Sequence, residues 1–268
     1  MNQEETYYQR LFQAVEQHPE SIYVLHEKLE YNFPIHKHDK GQLSYVEGGM
    51  AYLYTKEATY FLPARHYAWI PAGVEHRLFH SSPSQIDRNI YFVNQNDLEH
   101  PFFGKLGIYP VTNLLLEMIL FTEAWTGNLI PEGFPYQFLI TLKLVLPEVS
   151  RHPLPLSLPT TESKRLDPII QYIHKNLSES LTLSLVADQF GYSVRSLSRL
   201  FQQNLSVSFL QYLKLCRMIK AMVYLLETDK RISEIAYQTG YNSLSAFSNT
   251  FYELVHMRPM DFRSSVKR

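Results

Sequence analysis

Residues 5–18 place apolar side chains at helical spacing and predict a short amphipathic helix. From about Ser21 to Val93 the period shortens. Runs rich in Tyr, Val and Ile at Ser21–Leu25, Gln42–Val46, Ala51–Tyr54, Thr59–Leu62, His66–Ile70 and Asn89–Val93 predict strands. Gly41, Gly48, Gly49, Pro63, Pro71, Gly73 and Pro83 punctuate them, a density of turns that fits a β-sandwich or barrel. From Val111 the pattern is helical, with Leu114, Leu115, Met118, Ile119, Thr122 and Trp125 recurring on one side. A second apolar stretch, Tyr136–Leu146, is predicted to stop before Pro147. These two helices form a pair whose apolar surface packs either within the chain or against a second copy. Residues 150–160, broken by Pro153, Pro155 and Pro159, cannot be regular helix and read as a semi-rigid linker. Beyond it every segment is helical, beginning with Leu166–Asn176, where Pro168 sits in the first turn.

The last third contains a pattern that occurs twice. Leu183–Phe201 and Ile232–Phe251 align through Ala187-x-x-x-Gly191-Tyr192 and Ala236-x-x-x-Gly240-Tyr241, 49 residues apart. In each copy the alanine lets two helices approach closely, and the glycine ends the first helix in a left-handed conformation. The tyrosine packs beneath the turn. Ser193, and either Asn242 or Ser243, are suitable N-caps for the second helix. Leu197/Phe201 and Phe247/Phe251 are i,i+4 pairs that bury one face of it. The opposite face carries Arg195, Ser196, Ser198, Arg199 and Gln202 in copy one, and Ser245, Ala246, Ser248 and Asn249 in copy two. The second copy has one extra residue, in its turn or at the start of its second helix. This is a helix-turn-helix plan, in which the second helix enters the major groove of DNA. The connecting segment Val207–Glu227 places Phe209, Leu210, Leu213, Cys216, Ile219, Ala221, Val223 and Leu226 on apolar positions. Its length is close to one turn of duplex DNA, about 34 Å, so both units can reach successive grooves.

Charge divides the chain in the same place. The net charge of −1 conceals −6 over residues 1–159 and +5 over residues 160–268, so only the C-terminal part is suited to meet phosphate. The single cysteine, Cys216, permits no intrachain disulfide and fits a cytoplasmic setting. The start, Met1-Asn2-Gln3-Glu4-Glu5, is unlike a signal peptide, and no apolar run is long enough to span a bilayer.

The combination of Ala187, Gly191-Tyr192-Ser193, Leu197-Ser198-Arg199-Leu200-Phe201, Arg217, Ile232-Ser233-Glu234-Ile235-Ala236, Gly240-Tyr241, Phe247-Ser248, Phe251, Pro259 and Phe262-Arg263 resembles the AraC/XylS family of transcription regulators over Leu166–Arg263. The resemblance implies DNA contacts from Ser193, Arg195, Ser196, Ser198, Arg199 and Gln202 in copy one. In copy two it implies contacts from Asn242, Ser243, Ser245, Ala246 and Asn249. The chain departs from the family pattern at Asn249 and Tyr252, where basic residues are usual. It departs again at Leu205-Ser206 and Val255-His256-Met257-Arg258-Pro259, where the family places a glycine. Copy two is thus poor in cations, and copy one is expected to bind more tightly.

In the β-rich part, His36-x-His38-x-x-x-Gln42 precedes Pro71-x-Gly73-x-x-His76 and His80. This spacing resembles the two metal-ligand motifs of cupins, with Gln42 where a glutamate is expected. A neutral amide is the poorer ligand. The histidines and Gln42 are therefore expected to hydrogen-bond one another or backbone, or to bind an organic effector, together with Tyr45, Tyr52 and Trp69. Tyr54 and Tyr67 add further aromatic surface that suits either a pocket or an ordinary core. No cofactor is expected, and no metal is favoured; His36, His38 and His76 are the ligands if one binds.

The sequence thus predicts an α+β multidomain chain. A cupin-like effector domain at 1–110 precedes a helical dimerisation segment at 111–149. A Pro-rich linker at 150–162 leads to a double helix-turn-helix domain at 163–268. The expected function is a cytoplasmic, homodimeric DNA-binding regulator, not an enzyme. Its partners are double-stranded DNA, a small organic effector and, as a further contact, RNA polymerase. The alternative is a metal-dependent cupin enzyme fused to a DNA-binding domain.

Overall fold

The computed structural model describes residues 3–28, 34–80, 86–94, 97, 100–150 and 153–266. Pro83 of the predicted turns, Arg151 and His152 of the predicted linker, and Met1 and Asn2 lie outside them. The chain divides into two compact units, one of Met1–Thr55 with Phe61–Leu154, the other of Lys56–Tyr60 with Pro155–Arg268.

The first unit opens with α1 (Gln3–Glu16). Strands β1 (Ile22–Lys28), β2 (Gly41–Val46), β3 (Met50–Thr55), β4 (Ala58–Pro63, its first three residues counted with the second unit), β5 (His66–Ile70), β6 (His76–His80), β7 (Ile86–Phe92), β8 (Gly107–Pro110) and β9 (Gly127–Leu129) follow. One sheet has the order β8-β5-β2-β7-β1-β9, and β4-β3-β6 lie in a second. Six of these strands fall on the predicted runs, with ends moved by up to three residues. β6 lies outside the predicted runs, because the alternation of His-Arg-Leu-Phe-His is masked by polar residues on both faces. β8 and β9 are too short to show a period.

Side chains alternate across the large sheet. Leu43, Tyr45, Tyr67, Trp69, Ile90 and Phe92 lie in one buried cluster with Leu115, Ile119, Leu139, Leu142 and Leu146. The last five come from α2 (Asn113–Phe121) and α3 (Phe134–Val149). α2 starts at Thr112, whose hydroxyl accepts from Leu115 N, and is followed by a 3-10 turn over Thr122–Ala124. α3 does not stop before Pro147: it runs through it to Val149. In the last turn a proline forfeits a single backbone hydrogen bond, so the helix tolerates it. One face of the pair packs on the sheet. The other leaves Leu114, Phe121, Phe134 and Leu144 exposed.

The opposite face of the sheet is the barrel interior, and His66 belongs to it. Its ring is fully buried, with Nδ1 3.1 Å from Ala64 O, and burial pulls its pKa down to about 4. A folded-state pKa below the unfolded value of about 6.5 gives stability that is complete above pH 6.5 and lost as pH falls toward 4. Between pH 7.5 and pH 5 this ring alone is expected to cost the first unit about 2 kcal/mol. Urea denaturation at both pH values should show that loss reduced by a similar amount in His66→Asn; an unchanged slope would exclude this ring as its source.

In the second unit the segment expected to be a linker is partly structured. Ser157–Pro159 forms a short strand, β10, antiparallel to Ala58–Tyr60. Thr160 N donates to Glu57 O at 3.0 Å. An edge position lets Pro159 sit in a strand without breaking a ladder. Then come α4 (Asp167–Lys175), α5 (Leu183–Gln189), α6 (Val194–Leu205), α7 (Phe209–Glu227), α8 (Ile232–Gln238), α9 (Leu244–Val255) and α10 (Pro259–Val266). The repeat is exact in length: α5 and α8 have 7 residues each, α6 and α9 have 12. The extra residue of copy two lies in the turn, Thr239–Ser243 against Phe190–Ser193. α7 starts two residues later than the sequence suggested, behind a capping box between Ser208 and Gln211. Its buried face includes Tyr212, Met218, Met222 and Leu225, whereas Leu210, expected inside, is 67% exposed.

Ser206 and His256 close α6 and α9 in the left-handed conformation, with φ of 56° and 58°. A side chain there costs roughly 1 kcal/mol or more that glycine avoids, partly offset by the entropy glycine adds to the unfolded chain. Ser206→Gly and His256→Gly are each expected to stabilise the second unit by about 0.5–1 kcal/mol in chemical denaturation. A loss in both would mean the two side chains contribute more than the strain they carry.

Candidate nucleic-acid interface and effector site

Each helix-turn-helix unit is assembled by the features its sequence predicted. Ala187 and Ala236 are fully buried at the helix crossings. Gly191 and Gly240 have φ of 70° and 80°. Ser193 Oγ accepts from Ser196 N at 3.1 Å and donates to Ser196 Oγ at 2.8 Å. In copy two the cap is Ser243, not Asn242, accepting from Ala246 N at 3.4 Å. The stripes Leu197, Phe201, Leu205 and Phe247, Phe251, Val255 are buried, and Phe251 meets Phe262 of α10 edge-on at 5.5 Å.

The faces left over carry the predicted DNA-contacting residues. On α6, Arg195, Ser198, Arg199 and Gln202 are exposed, with Ser196 half-buried. Around α9, Asn242, Ser243, Ser245, Ala246 and Asn249 are exposed. Ser193 and Ser243 already serve as caps, so they have less freedom to reach bases than the others.

Copy two is not as poor in cations as its sequence suggested. Arg258 lies along α9: its Nη1 donates to Asn249 Oδ1 at 3.0 Å and to Ser248 O and Oγ at 3.3 Å. Its guanidinium sits over the Tyr252 ring at 4.7 Å. Ser208 marks the position that betrays this residue. Both Ser208 and Arg258 immediately precede a helix, and their carbonyls accept the same first-turn bond, from Tyr212 N and Phe262 N at 2.9 Å. In copy one the side chain caps α7; in copy two the arginine side chain returns a charge to α9.

Beneath this second unit, Arg217 of α7 donates to Leu177 O at 3.1 Å and Glu179 O at 2.7 Å, and lies over the Tyr241 ring at 5.8 Å. A Cβ on Gly240 would come within 2.4 Å of Leu177 O and 2.5 Å of Arg217 Nη2, whereas one on Gly191 would meet nothing within 4 Å.

In the first unit, three of the histidines singled out converge. The backbone of His36 exchanges hydrogen bonds with His76 at 2.9 and 2.8 Å, and Gly73 N donates to His38 O at 2.8 Å. These bonds zip the His36–His38 segment to the start of β6. His38 Nε2 and His76 Nε2 lie 2.9 and 3.1 Å from Gln42 Oε1. Gln42 Nε2 donates to Asn89 Oδ1 at 2.9 Å. Phe12 stacks on His36 at 4.1 Å and Tyr91 meets His38 edge-on at 5.0 Å. Burial holds the pKa of His36 at about 4 and of His76 at about 3, and lowers that of His38. All three rings are neutral at physiological pH.

His80, on the same face of β6, pairs through Nε2 with Asp87 Oδ2 at 2.7 Å. Burial raises the Asp87 pKa. Ser44 Oγ, Asp87 Oδ1 and Asn89 Nδ2 are buried with no hydrogen-bond partner among the described residues. The aromatic residues do not join this group. Tyr45 and Trp69, with Tyr67, belong to the core beneath α2 and α3, where Trp69 Nε1 donates to Phe103 O at 3.0 Å. Tyr52 stacks on Phe79 at 5.0 Å, and Arg77 lies over Tyr54 at 5.5 Å. Strand alternation decides this: Tyr45, Tyr67 and Trp69 lie at odd register from Gln42 in its sheet, and Tyr52 and Tyr54 pair with Phe79 and Arg77, which alternate with His76 and His80 along β6.

A β domain with a polar interior, followed by a helical unit with two helix-turn-helix copies, defines a class of two-domain helix-turn-helix proteins. Residues 186–265 match the family model described as a helix-turn-helix domain, and residues 18–96 match the AraC-like ligand binding domain. The chain thus carries a helix-turn-helix domain and an AraC-like ligand-binding domain, the two parts that the resemblance to the AraC family implies. An uncharacterized HTH-type transcriptional regulator of Staphylococcus aureus is 32% identical over 99 residues, 37% of this chain and 13% of that protein. The chain therefore spans about an eighth of the length of the first curated relatives it matches. The HTH-type transcriptional regulator NimR of Escherichia coli K12 is 26% identical over 226 residues, 83% of this chain and 79% of that protein. Among solved structures, the C-terminal domain of AraT, a response regulator from Geobacillus stearothermophilus, is 36% identical over 38% of this chain and 86% of that one, with a TM-score of 0.38. No helix among the described residues is long and apolar enough to cross a membrane.

Proposed function

We propose that this protein is a cytoplasmic, sequence-specific regulator of transcription whose second unit binds double-stranded DNA and whose first unit binds a small effector. The observation that carries the DNA reading is the pair of equal 12-residue helices, each with one buried stripe and one exposed polar face, joined by a 19-residue helix. That helix rises about 28 Å, close to the spacing of successive major grooves. Arg195, Ser198, Arg199, Gln202, Asn242, Ser245, Ala246 and Asn249 are the side chains and backbone positions that meet DNA. Ser193, Ser196 and Ser243 support them, and Arg258 is added to the set.

The effector reading rests on the buried polar atoms of Ser44, Asp87 and Asn89, which face the barrel with donors and acceptors to spare. They suit a small organic molecule with hydroxyl, amide or carbonyl groups, held with His36, His38, Gln42, His76 and His80. An effector that binds one arrangement of the chain more tightly shifts the population toward it by that difference in affinity. No catalytic step enters this reading.

The proposed domain roles are sensing by residues 1–110, dimerisation by 111–149, connection by 150–162 and DNA binding by 163–268. A second copy is the partner that the exposed Leu114, Phe121, Phe134 and Leu144 would cover, and RNA polymerase is the further protein contact. Selection of bound sequences from random DNA, with and without candidate small molecules, tests the function. An enriched site with two half-sites per chain, spaced one turn apart, is expected; no enrichment would overturn it. Sedimentation of Phe121→Glu tests the dimer.

A further inference from the structure

The hydrogen bonds inside the barrel form a chain in which each side chain fixes the next. The Nδ1 atoms of His38 and His76 lie 2.7 and 2.8 Å from the carbonyl oxygens of Lys40 and Val74. A carbonyl only accepts, so each Nδ1 carries the ring hydrogen and each neutral ring keeps its lone pair on Nε2. Both Nε2 atoms face the same end of the Gln42 amide, at 2.9 and 3.1 Å. With Oε1 at that end, lone pairs would oppose a lone pair. Turned end for end, the amide donates one hydrogen to each ring, two hydrogens for two acceptors. Gln42 Oε1 then faces Asn89 across the 2.9 Å contact, and Asn89 turns with it to present its own NH2 group. The other end of Asn89 is buried with no hydrogen-bond partner among the described residues, and is consequently its carbonyl oxygen. Asp87 Oδ1 and Ser44 Oγ are buried in the same state. Ser44 stands opposite Asn89 across β2 and β7, and Asp87 lies two residues along β7 on the same side. One small ligand head can therefore reach all three. Leu25 beside Asn89 and Ala68 beside Ser44 offer no side-chain hydrogen bond. The Asp87 side chain has no exposure, and its other oxygen meets His80 Nε2 at 2.7 Å. An unpaired buried carboxylate oxygen is costly, and a donor that carries positive charge offsets this most fully.

On the reading that this barrel takes an effector, we propose that the effector is a small primary amine, held as its ammonium ion by Asp87 Oδ1, Asn89 Oδ1 and Ser44 Oγ. An ammonium group has three hydrogens for these three acceptors. A hydroxyl group donates to only one of them. A carbonyl group sets acceptor against acceptor at Asp87 and Asn89. The site thus selects among polar organic molecules by the number of hydrogens they donate.

Amines, alcohols and ketones that share a skeleton test this. The probes are isopropylamine, isopropanol and acetone; cyclohexylamine, cyclohexanol and cyclohexanone; and α-phenylethylamine, α-phenylethanol and acetophenone. Each is titrated into the full chain without DNA and followed by NMR. On every skeleton that binds, the amine is expected to bind roughly 10–100-fold more tightly than the ketone, the usual worth of a charge-assisted hydrogen bond. The amine should also move the Asp87 carboxylate and Asn89 side-chain amide resonances. Asp87→Asn should remove the preference while leaving ketone binding at least as tight, which an unfolded variant could not show. Before any probe is added, nuclear Overhauser contacts should join the Gln42 amide hydrogens to the rings of His38 and His76. Ketones that bind as tightly as amines, or Gln42 amide hydrogens that contact Asn89 instead of the rings, would overturn the amine assignment and leave the effector reading standing. Binding by none of the probes would overturn both.

Discussion

Gly240→Ala is expected to cost the second unit about 3–4 kcal/mol, while Gly191→Ala costs about 1 kcal/mol. Both glycines occupy the left-handed region, at φ of 80° and 70°, so both substitutions carry the conformational penalty of a side chain there. The surroundings separate them. Nothing lies within 4 Å of a Cβ at Gly191, but a Cβ at Gly240 would press on Leu177 O and Arg217 Nη2. The first is backbone, and it accepts from Arg217 Nε. The methyl group would thus be driven into a hydrogen-bonded pair that ties α7 to the loop after α4. Both tryptophans, Trp69 and Trp125, belong to the first unit, so the probes are cleanly separated. Denaturation followed by helical circular dichroism should show the loss, while tryptophan fluorescence reports a first unit left intact. Equal effects at the two glycines would mean that the Leu177–Arg217 contact yields without cost.

The second large effect is on DNA affinity and its salt dependence. Arg199→Ala is expected to weaken binding by about 1–3 kcal/mol and to reduce the slope of log affinity against log salt by about 1. Arg258→Ala should reduce the slope by a similar amount, because it too removes a cation from a recognition helix. Asn249→Ala should leave the slope unchanged and alter only which sequences are preferred. From sequence alone, copy one was expected to be the electrostatic anchor and copy two a nearly uncharged reader. Arg258, held against Asn249 and Tyr252, makes the two units more alike. Binding isotherms at several salt concentrations decide between the views. A slope unaffected by Arg258→Ala would restore the asymmetric one.

The second unit was legible because its determinants are local. A glycine that ends a helix, a serine that caps the next and an i,i+4 apolar pair act within a few residues of one another, and their recurrence at a fixed offset leaves little freedom. The exposed polar faces of α6 and α9, which we propose meet DNA, followed from the same helical period. Arg258 did not, since its contact with α9 depends on the chain turning back after α9, and an arginine before Pro259 reads locally only as a poor cap. In the first unit the sequence specified strands and singled out His36, His38, Gln42 and His76, whose spacing survived in space. It left open where the aromatic residues point. Tyr45, Tyr52 and Trp69 are as suited to a pocket as to a core, and a shift of one residue in strand register exchanges the two faces. What the sequence by itself determined are the elements whose stabilising contacts lie within one helix or one turn, together with the charge division between the two halves. The tertiary structure alone decided which face of each strand meets α2 and α3, which acceptors fix the histidine tautomers, and which cation stands beside Asn249. Each of these depends on atoms brought together from distant parts of the chain, and no local pattern encodes them.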